Sequence, residues 1–96
     1  MRLSIRLAAL EDMSDAYAWY EAQRVGLGDE FLAAVDDVFS TILETPMRFR
    51  VLVLDTRQAL VRRFPYRILY RIAGDEVVVV ACFHASRDPR RWEDRR

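Results

Sequence analysis

Phe64-Pro65-Tyr66-Arg67-Ile68-Leu69-Tyr70-Arg71-Ile72-Ala73-Gly74-Asp75-Glu76-Val77-Val78-Val79-Val80-Ala81-Cys82-Phe83-His84 decides the fold. Phe64-Pro65 reads as a tight turn. Tyr66 to Ile72 alternates, with Tyr66, Ile68, Tyr70 and Ile72 on one face and Arg67, Leu69 and Arg71 on the other. Ala73-Gly74-Asp75-Glu76 carries the residues of a hairpin turn. Val77 to Phe83 is apolar on both faces, as a central strand is. The stretch therefore predicts a hairpin whose second strand is buried on both sides.

Upstream, Gln58 to Arg63 predicts a third strand, and residues 49–54 read equally as a strand or an extended loop. Before Pro46 the period is helical. Phe31, Leu32, Val35, Val38, Phe39, Ile42 and Leu43 make one apolar stripe that Asp29, Asp36, Asp37 and Glu44 avoid. Leu10, Met13, Tyr17 and Tyr20 predict an earlier helix, with Glu11, Asp12 and Asp15 in its first turns and Trp19-Tyr20 in the core. Gly26-Leu27-Gly28 separates the two, so they should form an antiparallel hairpin. Residues 2–7 alternate as a strand with Leu3, Ile5 and Leu7 inward.

The resulting order is α+β: an N-terminal strand, an antiparallel helix hairpin, then a three-stranded antiparallel meander, with the helices packed on one face of the sheet. The other face should display Arg67 and Arg71, joined by Arg62 or Arg63. His84 and Arg87 fall at the end of the neighbouring strand.

Ninety-six residues make a single domain, 1–96, closing in a polar, arginine-rich tail at 85–96 that forms a short helical turn or stays loose. A chain of this length buries roughly 60–65% of its unfolded surface, so a partner can matter to its stability. The apolar share of 52% excludes a disordered tail protein. No apolar run approaches the roughly 18 residues of a membrane span, and the arginines near the N-terminus do not suit a signal peptide. A lone cysteine, Cys82, fits a reducing compartment, and the chain reads as cytoplasmic.

The zero net charge is polarised. Residues 1–56 hold five arginines against ten acids, and residues 57–96 hold ten arginines against five acids. Every basic residue except the histidine is arginine. Codon bias accounts for the missing lysines but not for the crowding in one half.

Several chemistries are poorly served. One histidine and one cysteine fall short of a zinc ligand set, and no cofactor is expected. Gly26-Leu27-Gly28 is no phosphate loop, and Ser86 beside His84 has no nucleophile-elbow context. The basic surface remains. Grouped arginines can stabilise a phosphodiester attacked by its own 2′-hydroxyl, with His84 or a tyrosine moving the proton. Against that, a histidine at a strand end is commonly structural, Tyr66 and Tyr70 suit packing against helix residues, and Trp92 either anchors the tail or is a contact residue.

Taken together, Ala18-Trp19-Tyr20-Glu21-Ala22-Gln23, Gly26-Leu27-Gly28, Phe31-Leu32, Pro46, Arg63 to Tyr70, and His84 with Arg87-Asp88-Pro89 and Trp92 resemble the RelE/ParE superfamily. Its members are toxins of type II toxin–antitoxin modules, often described as plasmid stabilisation proteins. The resemblance implies the fold above, a bacterial cytoplasm, a cognate antitoxin in a hetero-oligomer, and operator DNA bound only through that complex.

The superfamily divides by target. RelE-like members are ribosome-dependent mRNA endoribonucleases; on that branch Arg67 and Arg87 match family arginines, with His84 as the acid or base. The branch's lysines correspond here to Gln58 and Leu60, and its C-terminal tyrosine falls near Trp92-Glu93. ParE-like members act on DNA gyrase without hydrolysis, and the Trp-Tyr-Glu helix, Phe-Pro-Tyr turn and Arg-Asp-Pro tail resemble that branch more closely. Arg62, Arg63, Arg71, Arg90, Arg91 and Trp92 are then candidates for contacting target or antitoxin. The third implied possibility is an inactive relative that only binds an antitoxin.

Overall fold

The computed structural model describes residues 1–87 and residue 95. The chain runs β1 (Arg2–Ile5), α1 (Leu7–Gln23), α2 (Leu27–Glu44), β2 (Val51–Val53), β3 (Thr56–Leu60), β4 (Tyr66–Ala73) and β5 (Glu76–His84). The strands form one sheet in the order β1-β5-β4-β3-β2. β2 to β5 are an antiparallel meander, so the segment left open at 49–54 supplies a short fourth meander strand. β1 lies parallel to β5, with Leu3 opposite Val77 and Ile5 opposite Val79. That pairing puts β5 inside the sheet and explains why it is apolar on both faces.

The helix hairpin covers one face. Ala9, Ala16, Tyr20, Phe31, Val35, Phe39 and Ile42 pack against Ala59, Val61, Ile68, Tyr70, Val77 and Val79. The stripe expected on α2 is the one that is buried, with Leu32 and Leu43 at its margins. Four aromatics from different elements close one end of this core: Tyr20 lies 5.3 Å from Phe31 and 4.9 Å from Phe64, and Phe31 lies 5.2 Å from Tyr66 between ring centroids. Contacts of this kind add about 0.5–1.5 kcal/mol each beyond simple burial.

α1 departs from its expected form. It begins at Leu7, which is not the last inward residue of a strand but a helical residue 70% exposed. The chain turns out of β1 once Arg6 N–H reaches the Val79 carbonyl at 3.0 Å. With that early start the first turn holds no acid, and Glu11, Asp12 and Asp15 fall in later turns. The buried stripe is Ala9, Ala16 and Tyr20 with Met13 against it, and Leu10 faces outward. Trp19, expected in the core, is 59% exposed, because a helix turns adjacent residues about 100° apart and Tyr20 takes the inward position.

The helix connection is held by one side chain. Gly26 sits at φ +90°, a left-handed conformation that favours glycine. The Glu21 carboxylate then accepts from Gly26 N–H and Gly28 N–H, each at 2.9 Å, satisfying donors at the start of α2. Gly28 is small for a separate reason: a β-carbon there would stand 2.7 Å from the Tyr17 ring.

On β4 the alternation holds, and the irregularity is in β5. Leu69 pairs with Ala81 and Tyr70 with Val79, leaving Val80 as an extra residue. As a result Val79 and Cys82 face the helices, while Val80, Ala81 and Phe83 join Leu69 and Val78 in a second apolar cluster on the far face.

Candidate functional site

Pairing of β4 with β5 sets Tyr66 opposite His84, their rings 5.4 Å apart and nearly perpendicular. β5 ends there because the chain turns: Ala85 N–H donates to the Pro65 carbonyl at 2.7 Å, and Arg87 N–H to the His84 carbonyl at 3.0 Å. Within that turn His84 Nδ1 accepts from Ser86 N–H at 3.1 Å and lies 2.7 Å from Ser86 Oγ. Accepting at Nδ1 leaves the neutral ring's proton on Nε2.

This strand end forms one wall of a cleft of about 940 Å³. Pro65, Tyr66, His84, Ser86 and Arg87 line it on the sheet side, and Asp12, Asp15, Ala16 and Trp19 of α1 line it opposite. Burial pushes the Tyr66 hydroxyl above its ordinary range, and the Arg87 charge offsets this only in part. Tyr66 therefore meets the cleft as a neutral phenol. Asp12 joins the walls: its Oδ2 accepts from Cys82 N–H at 3.0 Å and from Arg95 Nη1 at 2.6 Å. Arg95 lines the cleft as well.

The expected arginines do not gather in one place. Arg67 and Arg71 lie on the far face, as their alternation requires, and Arg67 Nη1 donates to Gln58 Oε1 at 3.1 Å. Both Nε atoms are buried without an acceptor, an arrangement that costs about 1–3 kcal/mol for each such group. Arg63 leaves that group and bonds Glu30 of α2 at 2.8 Å, tying the Phe64-Pro65 turn to the helix hairpin. Its φ of +72° carries the chain around to that side. Arg62 is exposed beside it. Arg90, Arg91 and Trp92, together with most of the tail whose helical turn was in question, lie outside the described residues.

Sequence reasoning brought His84 and Arg87 to one place and missed the opposite wall. The signal was present: Asp12, Asp15 and Trp19 share a side of α1 by spacing, and the small residues Ala9 and Ala16 mark the neighbouring side as the buried one. Among the described residues, Trp19 is the large aromatic exposed at this cleft.

A family model described as the ParE toxin of the type II toxin–antitoxin system parDE matches residues 3–89. No curated protein sequence matches the chain. Among solved structures, the chromosomal ParDE system of P. aeruginosa is similar with a TM-score of 0.66 at 19% identity, covering 88% of this chain and 95% of that one. The intact E. coli RelBE toxin–antitoxin complex is similar at 0.68 and 19% identity, covering 90% and 98%. The RelBE2 toxin–antitoxin complex of Mycobacterium tuberculosis is similar at 0.63 and 27% identity, covering 86% and 95%. The folds of both the ParE and RelE kinds are thus shared.

Proposed function

This chain is a member of the ParE toxin family of type II toxin–antitoxin systems, and from that premise we propose that it arrests growth by poisoning DNA gyrase. In this reading the protein performs no hydrolysis and is held inactive in the cytoplasm by a cognate antitoxin. The similar ParDE and RelBE2 structures, a toxin–antitoxin system and a toxin–antitoxin complex, support a partner of that kind.

The observation that carries the gyrase reading is the separation of the candidate catalytic residues. Arg67 is on the far face and committed to Gln58, whereas His84 and Arg87 stand at the cleft against α1. A phosphodiester in that cleft would meet one of the two matching arginines. The two positions that could have added cations near Arg67 are Gln58 and Leu60, which carry none. His84 also has a structural role, since its Nδ1 closes the Ser86 turn.

The second reading, an mRNA endoribonuclease acting on the ribosome, is favoured by one arrangement. His84, Arg87 and the Tyr66 hydroxyl line the same cleft, which would supply an acid or base beside a cation. The variant His84→Gln separates the two readings in a growth assay. Toxicity within about threefold of the parent is expected for the gyrase poison. Loss of toxicity by a factor of about 100 or more, in a variant that still folds, would indicate proton transfer by His84.

A further inference from the structure

The hairpin of β2 and β3 carries the strongest unassigned feature. Among the described residues two other than glycine have positive φ, Arg63 at +72° and Leu54 at +50°. That conformation strains any residue with a β-carbon and persists only where its surroundings hold it. For Arg63 the strain is offset by the bond to Glu30 at 2.8 Å. Leu54 gains nothing comparable, for it joins neither apolar cluster and is 76% exposed. It stands in the turn between Val53 and Thr56, where glycine or asparagine would avoid both the strain and the exposure. A leucine there points to a contact outside the chain.

Its surroundings suit such a contact. Met47 and Val51 are exposed as well; Val51 stands opposite Arg57, and Met47 Sδ lies 3.7 Å from Arg57 Nη2. Residues 46–50 are neither helix nor strand, yet they are pinned to the sheet. Tyr70 Oη donates to the Pro46 carbonyl at 2.6 Å, and Arg57 Nη1 donates to those of Met47 and Phe49 at 3.1 and 2.7 Å. Gln58 N–H donates to the Arg50 carbonyl at 3.0 Å. The pinned segment presents Arg48 and Arg50 to solvent, and among the described residues neither has an ion-pair partner. A display fixed before binding lowers the ordering cost of an interface.

We propose that this hairpin tip is where the chain docks on its target, with Leu54 anchored in an apolar recess of gyrase and Arg48 and Arg50 on carboxylates at its rim. The inference rests on the gyrase reading above and names the contacting residues. Exposed apolar side chains rimmed by charge mark protein contact sites, and guanidinium groups without partners call for anions opposite them. Asp55, exposed beside Leu54, would repel the phosphates of a nucleic acid, so the tip favours a protein.

The test is supercoiling by purified gyrase with the full chain and its Leu54→Gly variant. Glycine takes φ +50° without strain, so the variant should unfold at or above the parent's Tm. Loss of a leucine side chain buried on binding predicts that about 10- to 100-fold more protein is needed for half-inhibition. Leu54→Asn, which also tolerates the left-handed region, should behave alike. Arg48→Glu/Arg50→Glu should weaken inhibition about tenfold with Tm unchanged. The assignment is overturned, with the gyrase reading intact, if the parent inhibits and a folded Leu54 variant shifts half-inhibition by less than about tenfold. A Tm for Leu54→Gly well below the parent's would show that Leu54 packs within the chain, and overturns it too. A parent that leaves gyrase unaffected overturns both the assignment and the gyrase reading. Retardation of plasmid DNA by the parent without gyrase, lost in Leu54→Gly, overturns it in favour of a nucleic-acid contact.

Discussion

Cys82 shows how a residue with reactive chemistry is made inert. Its thiol lies in the core between β5 and α1, and burial, helped by the nearby Asp12 charge, pushes it up to about 12. At pH 8 the thiolate is then about one part in ten thousand, so a disulfide reagent such as DTNB should label the native protein no faster than the chain unfolds. Rapid labelling of folded protein would contradict this burial. His84 differs from it in standing at a cleft with its Nδ1 engaged, which is why His84→Gln is the informative substitution. At this scale, identity was easier to read than placement. The alternation of Tyr66 to Ile72 put Arg67 and Arg71 on the far face correctly. Trp19 and Tyr20 could not be told apart by hydrophobicity, because both are aromatic and only the small residues Ala9 and Ala16 reveal which side of α1 is buried.

At the scale of elements, two polar contacts hold the helix hairpin in place. Glu21 accepts from two backbone donors at the start of α2, so Glu21→Ala should cost about 1–2 kcal/mol. For a chain of this size that is a fall in Tm of roughly 4–16 °C, measurable by circular dichroism. Glu30 binds Arg63 at 2.8 Å and Arg24 at 2.9 Å, and these bonds hold its carboxyl below the ordinary 4.5. A lowered folded-state value means that the stabilisation is present above the ordinary carboxylate range and is lost as pH falls through the lowered value. The difference in urea midpoint between the parent and Glu30→Gln should therefore be open at pH 7 and narrow as pH falls below the ordinary carboxylate range. A difference that persists in acid would place the effect elsewhere. The element boundaries that sequence could not place have a common cause. Leu7 continued the alternation of β1, and the parallel partner that ends this strand, β5, is more than seventy residues away.

For the whole molecule, the α+β order, the helix hairpin and the family were all legible from local patterns agreeing with one another. Two features were not. The β5 irregularity at Val80 leaves no trace in a run of four valines, yet it decides that Cys82 faces the helices and Phe83 the far face. The division of arginines between the two faces depends on Arg63 turning back to Glu30, a contact across 33 positions of sequence. Together they give the protein two separate surfaces, an arginine-flanked sheet face and a cleft beside α1.

The most direct test is supercoiling of relaxed plasmid by purified gyrase, with and without this protein. The account predicts inhibited supercoiling with accumulated cleaved DNA, in parent and His84→Gln alike. Normal supercoiling in the presence of a preparation that still arrests growth would contradict it, and would turn attention to mRNA and to His84 and Arg87 at the cleft.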